Sequence, residues 1–151
     1  MKTLTLQEYI HVFQQHNIYV SSNVINSSLE VAHITYDSRT VIPGTLFVCK
    51  GAHFKAEYAV SALQNGAIAL VCETVPNMET AYVQVSDIRK AISIMADLFY
   101  DGVQHQICSI GLTGTKGKST TAQYIRDCLN VYFIDNQKPK CAIISSIDTY
   151  D

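Results

Sequence analysis

The stretch Ile107-Cys108-Ser109-Ile110-Gly111-Leu112-Thr113-Gly114-Thr115-Lys116-Gly117-Lys118-Ser119-Thr120-Thr121 constrains this chain more than any other. A short apolar run passes through glycines at 111, 114 and 117 and enters a helical pattern at Lys118. Strand, glycine loop and helix start, in that order, are the context that a phosphate-binding loop requires. Glycine lets backbone N–H groups approach a polyphosphate because no Cβ stands in the way. The following helix adds unpaired N–H groups and the positive end of its dipole. The residues expected to contact a nucleotide such as ATP are therefore Gly114, Thr115, Lys116, Gly117, Lys118, Ser119 and Thr120. Lys118 is expected on the β- and γ-phosphates and the Ser119 hydroxyl on Mg²⁺.

The competing reading is a glycine-rich turn with two surface lysines. Against it, a cation at a helix N-terminus is disfavoured by roughly 0.3–1 kcal/mol, and a bound anion reverses that sign. One departure favours the turn. The general signature G-x-x-x-x-G-K-[ST] wants glycine where Leu112 stands, and Gly111 is one place early.

At 151 residues the chain has room for one domain, or a small domain and part of another. With 48% hydrophobic and 16% charged residues it can bury a core. The net charge of −2 and the lack of a long basic run argue against nucleic acid as a partner. The start leads into an amphipathic helix rather than a signal peptide, and the longest apolar run, Ala67 to Cys72, is too short to cross a bilayer. A cytoplasmic location is expected. Five cysteines without a C-x-x-C pair read as buried, reduced thiols, four of them on apolar strand or helix faces. The histidines show no ligand spacing.

Thr5-Leu6-Gln7-Glu8 fits a capping box, and Leu6, Tyr9, Ile10 and Phe13 follow at helical spacing, predicting a helix from Leu6 to Gln15. Residues 17–32 read as loop with at most a short strand. Strands are expected at His33 to Tyr36, Thr45 to Cys49, Ala67 to Cys72 and Tyr82 to Val85. A proline-glycine turn at Pro43-Gly44 separates the first two. A helix through Tyr58, Ala59, Ala62 and Leu63 should close at Asn65-Gly66. Asp87 should cap another helix that buries Ile88, Ala91, Ile92, Met95, Ala96 and Phe99. Residues 101–106 break the pattern, and a boundary is expected there, giving units 1–104 and 105–151. The second unit should hold a strand through residues 107–112, a helix burying Ala122, Ile125, Cys128, Leu129 and Tyr132, and a strand from Cys141 to Ser145. The alternation argues an α/β architecture with mainly parallel sheets. A lone βαβ unit of this kind should not be stable alone.

Thr113-Gly114-Thr115-Lys116-Gly117-Lys118-Ser119-Thr120 resembles the phosphate loop of the Mur ligases, T-G-T-[NK]-G-K-[ST]-[ST], a family that also lacks the first glycine of the general signature. Upstream, Tyr36-Asp37-Ser38-Arg39-Thr40-Val41-Ile42-Pro43-Gly44-Thr45-Leu46-Phe47-Val48 resembles the D-S-R-x-V-x-x-G-x-L-F-V segment of the amino-terminal domain in the E and F members. Lys50 to Ala56 and Gln64 to Ala67 continue in register, and the likeness spans Ile34 to Ser145. The G-T-K-G-K form looks more like the E type, and the Lys-Gly-Ala-x-Phe-Lys-Ala wording like the lysine-adding enzymes.

The resemblance implies a small amino-terminal α/β domain that holds the uridine diphosphate part of the substrate, followed by the start of an ATP- and Mg²⁺-using domain. The activity it implies joins an amino acid, L-lysine more than meso-diaminopimelate, to UDP-N-acetylmuramoyl-L-alanyl-D-glutamate in peptidoglycan synthesis. By position Ser38 is the family's substrate-binding serine and His53 lies in the loop approaching the uridine. A turn-forming serine and a loop histidine without a role are the alternatives. The family's second metal ligand, modified lysine and amino-acid site have no position in these 151 residues, so no catalytic residue is expected within the chain, which reads as a fragment. Two alternatives stay open: an F-type ligase fragment, and a non-catalytic module that binds a UDP-sugar or nucleotide.

Overall fold

The computed structural model describes residues 4–51 and 54–145, together with the backbone of Thr149–Tyr150. The chain divides into two compact units, Met1–Ile107 and Cys108–Asp151.

The first unit opens with strand β1 (Leu4–Thr5) and helix α1 (Leu6–Gln15). Thr5 caps α1: its Oγ1 accepts from the Glu8 N–H, and the Glu8 carboxylate accepts from the Thr5 N–H at 2.7 Å. Two otherwise orphaned donors are satisfied by one reciprocal pair. Strands β2 (Tyr19–Ser22) and β3 (Glu30–Val31) follow, then β4 (His33–Thr35) and β5 (Thr45–Val48). Helix α2 (Ala56–Gln64) leads into β6 (Ala67–Cys72), β7 (Tyr82–Val85) and helix α3 (Ile88–Phe99).

The main sheet has the order β2-β7-β6-β5-β4. Strands β4, β5, β6 and β7 run parallel, and β2 joins β7 antiparallel at the edge. Alternation along the strands sends side chains to two separate cores. Leu46, Val48, Ala69, Val71, Val83 and Val85 pack with Tyr9 and Phe13 of α1 and Ala91 and Met95 of α3. Phe47 and Leu70 point the other way, onto Ala59 and Ala62 of α2. The sheet is thus covered on both faces, which is why β5 and β6 read as continuous apolar runs. Each large side chain so buried contributes about 1.5–3 kcal/mol relative to exposure.

Two turns at the amino ends of β5 and β6 fix how the chain enters these strands. Thr45, fully buried, donates through Oγ1 to the Ile42 carbonyl at 2.6 Å and accepts from the Ile42 N–H, closing the turn before β5. Gly66 ends α2 at φ +103°, and a Cβ there would lie 2.9 Å from the Pro43 Cα. Glycine is required at that position twice over, by its dihedral and by the close approach.

In the second unit, helix α4 (Lys118–Asp135) is followed by β8 (Ile143–Ile144), which pairs antiparallel with β9 (Thr149–Tyr150). The Asn130 side chain accepts from the Cys141 N–H at 2.6 Å and ties the returning chain to α4. Residues 107–112 form no strand, contrary to the sequence expectation, and Ile107 and Ile110 are exposed. An isolated strand leaves its backbone groups unpaired, and this segment has no ladder to enter. The α4 face expected to be buried is only half covered at Ala122, Ile125 and Leu129, while Cys128 and Tyr132 are exposed. The thiol expectation divides accordingly. Cys72 is buried and Cys49 half-buried, but Cys108 and Cys128 face solvent.

Candidate functional site: a glycine loop and a strand-exit serine

The phosphate loop is set by two glycines in conformations that L-residues avoid. Gly114 has φ +152° and Gly117 φ +77°, and Gly117 is the residue that caps α4. Nothing lies within 4 Å of a Cβ built at Gly117, so the inner side of the turn is open. The first backbone bond of α4 runs from the Thr121 N–H to the Gly117 carbonyl, 2.9 Å. The N–H groups of Lys118, Ser119 and Thr120 therefore lack helical partners, as at any helix start. No acidic side chain occupies the first turn to compensate them.

Lys118 folds back along the loop, and its Nζ donates to the Gly114 carbonyl at 2.7 Å. Ser119 is half-buried, and Thr120 beside it is exposed. Both line an open groove of about 380 Å³ with Gln123, Tyr124, Asp127 and Ser145. The donor set of the loop is an ammonium, two hydroxyls and a run of unpaired N–H groups. That set fits a polyphosphate, and the Ser119 hydroxyl is a hard oxygen donor of the type Mg²⁺ takes. Tyr124 and Asp127 in the groove were not singled out from sequence; helical spacing from Thr120 places them there, and reading that face of α4 rather than its apolar one finds them.

Ser38 lies in the first unit, at the carboxyl edge of the parallel strands, where ligands of open α/β sheets bind. It opens a single 3₁₀ turn, Ser38–Thr40, capped by Asp37. Asp37 accepts from the Arg39 N–H at 3.0 Å and from the Arg39 guanidinium at 2.6 Å. The hydrogen bonds from the Arg39 side chain and backbone bring the Asp37 carboxyl down to about 2. Asn65, at the end of α2, donates to the Ser38 carbonyl at 3.2 Å. The turn is held from two sides while the Ser38 side chain stays half-exposed. His53 lies outside the described residues. The loop residues Gly114 to Thr120 and Ser38 thus belong to different units.

A third feature was not foreseen. Tyr36 follows β4 and is 62% exposed, and the Lys50 ammonium sits 4.7 Å from its ring centroid. The two residues come from the exits of neighbouring parallel strands, a juxtaposition that the register of β4 with β5 creates.

No family model matches the chain. Individual relatives do. The chain is 43% identical over 119 residues to the UDP-N-acetylmuramyl-tripeptide synthetase of Bifidobacterium longum, covering 78% of this chain and 22% of that protein. It is 40% identical over 136 residues to the UDP-N-acetylmuramoyl-L-alanyl-D-glutamate–L-lysine ligase of Streptococcus pneumoniae strain D39, covering 90% and 26%. The chain belongs to the Mur ligase family. Among solved structures of Mur ligases, MurF from Acinetobacter baumannii matches with a TM-score of 0.59 and 26% identity, over 85% of this chain and 28% of that one. A UDP-N-acetylmuramoyl-L-alanyl-D-glutamate–2,6-diaminopimelate ligase matches with a TM-score of 0.67 over 99% of this chain and 29% of that one, and at 23% identity it shows the shared fold. The chain spans about a quarter of the length of the curated Mur ligases it matches.

Proposed function

We propose that this chain supplies two binding sites of an ATP-dependent amino-acid ligase of peptidoglycan synthesis. Residues 1–104 hold the uridine diphosphate part of UDP-N-acetylmuramoyl-L-alanyl-D-glutamate, with Ser38, and with His53 from the adjoining loop, as substrate contacts. Residues 105–151 hold the phosphates of ATP through Gly114, Thr115, Lys116, Gly117, Lys118, Ser119 and Thr120. Bound there, ATP supplies the phosphoryl group that activates the substrate carboxylate, and Ser119 is the residue that would hold Mg²⁺. The observation that carries the reading is the 40% identity, over 90% of this chain, to a ligase named for L-lysine. L-lysine is accordingly the amino acid proposed, and the cytoplasm the place of work.

Within this reading the chain's own residues bind and orient. Gly114 and Gly117 keep the loop open, and the α4 N–H groups take phosphate oxygens at the positive end of the helix dipole. The Lys118 ammonium, now on the Gly114 carbonyl, exchanges that neutral acceptor for an anionic one, a stronger partner. Among the described residues no group of three His, Cys, Asp or Glu is placed to hold a metal ion. No helix among them is long and apolar enough to cross a membrane. Phosphoryl transfer requires charge stabilisation from several directions, so no catalytic residue is assigned within the chain.

A hybrid enzyme tests the reading. Residues 1–151 replace the matching segment of the Streptococcus pneumoniae ligase, and ADP and tripeptide are followed with L-lysine or meso-diaminopimelate. Ligation of L-lysine that is lost on Lys118→Ala is expected. A folded hybrid without activity, beside an active parent, would contradict the reading.

A further inference from the structure

The segment that carries Ser38 and the loop after β5 meet at one described contact, that of Tyr36 with Lys50. Its geometry is that of a cation over an aromatic face, within the distance at which the ring quadrupole attracts an ammonium. The neighbouring cation is differently engaged. Arg39 is held by both carboxylate oxygens of Asp37, so its charge is already neutralised. Among the described residues no carboxylate is paired with Lys50, which is exposed. A tyrosine ring positions the ammonium without cancelling its charge. The result is an uncompensated positive charge at the exit of β5, over a ring that stands two residues before Ser38 in the chain.

We propose that Lys50, held over the Tyr36 ring, is the cation that meets the diphosphate of a uridine-diphosphate-linked ligand. This rests on the reading that the first unit binds such a ligand, and it gives a role to a residue that the Lys50 to Ala56 segment contains without one. Lys50 follows β5, one strand from the centre of the doubly covered sheet, and its side chain is exposed rather than packed. Its function is then recognition of charge, and Tyr36 is the positioning residue.

The test is equilibrium titration of the 151-residue chain with UDP and with uridine, at low and high salt. Binding of UDP by the parent chain tests the underlying reading, and its absence would overturn that reading together with the proposal. Given binding, Lys50→Gln should weaken UDP about tenfold, as expected for loss of one charge-assisted contact, and flatten its salt dependence while leaving uridine unchanged. Tyr36→Leu should weaken UDP about twofold to fivefold, and Tyr36→Phe, which keeps the ring, should restore it. Equal losses for UDP and uridine in Lys50→Gln would overturn the proposal in favour of a packing role. So would UDP affinity unchanged in that variant. Circular dichroism of each variant separates these outcomes from misfolding, and Lys50→Arg, which keeps the charge, should retain most of the UDP affinity if Lys50→Gln fails to fold.

Discussion

The Lys118 ammonium lies 2.7 Å from the Gly114 carbonyl, closing the phosphate loop on itself across the glycine turn. The residue that the family motif directs at the β- and γ-phosphates already reaches over the mouth of the loop. Lys118→Ala should therefore reduce binding of ATP with Mg²⁺ at least about tenfold, the usual loss for one charge-assisted hydrogen bond. Because Lys118 is exposed, its removal should leave thermal stability nearly unchanged. Calorimetric titration and a melting curve read both. ATP bound equally well by Lys118→Ala would make residues 114–120 a structural turn.

Tyr9 is fully buried, and its hydroxyl has no hydrogen-bond partner among the described residues. Burial, with the Glu8 charge adding to it, pushes its ionisation far upward. An unsatisfied buried hydroxyl costs about 1–3 kcal/mol. Tyr9→Phe keeps the ring in the core and removes that cost, so urea unfolding should show equal or greater stability, by up to about 1 kcal/mol. A loss of more than that amount would mean that the hydroxyl has a partner of its own.

The thiols of Cys49 and Cys72 face the same side of adjacent strands. Burial pushes Cys49 up to about 12, with Cys72 adding to the effect, and pushes Cys72 up to about 11. Their folded values lie above the ordinary thiol value of 9.0, so the folded state binds more protons between them. Stability is then fully present below pH 9 and falls as pH rises toward 11 and 12. Chemical denaturation at pH 8 and pH 10.5 should show the decline, and Cys49→Ala with Cys72→Ala should flatten it. At neutral pH the exposed Cys108 and Cys128 should be alkylated well before Cys49 and Cys72, as peptide mapping would show.

Gly66 at φ +103° lies against Pro43, in the turn that precedes β5. Gly66→Ala brings a Cβ to 2.9 Å from the Pro43 Cα and imposes a conformation alanine avoids. A loss of about 1–3 kcal/mol is expected in denaturant unfolding. Gly117→Ala, where nothing stands within 4 Å, meets only the dihedral cost and should be the milder of the two.

Where local signals and burial agree, the sequence was easily read. The capping box at Thr5 and the Asp87 cap give α1 and α3 their observed starts, and the unbroken run Ala67–Cys72 is the central strand it resembles. The short strands β2 and β3 were not legible. Their backbones are fixed by distant partners, Val85 for Tyr19 and Leu4 for Val31, and their side chains barely alternate. Residues 107–112 mislead in the opposite sense, because apolar content predicts a strand only where a neighbouring strand supplies its hydrogen bonds. Of the candidate sites, the loop and Ser38 were visible as motifs. The Tyr36–Lys50 pair was not, since it depends on the register between β4 and β5.

In the proposed function the first unit holds a uridine-diphosphate-linked muramyl peptide. Isothermal titration of the 151-residue chain with UDP-N-acetylmuramoyl-L-alanyl-D-glutamate tests it most directly. Saturable binding at one site is expected, weakened by Ser38→Ala and indifferent to Lys118→Ala. A folded chain that gives no heat at millimolar ligand would contradict it.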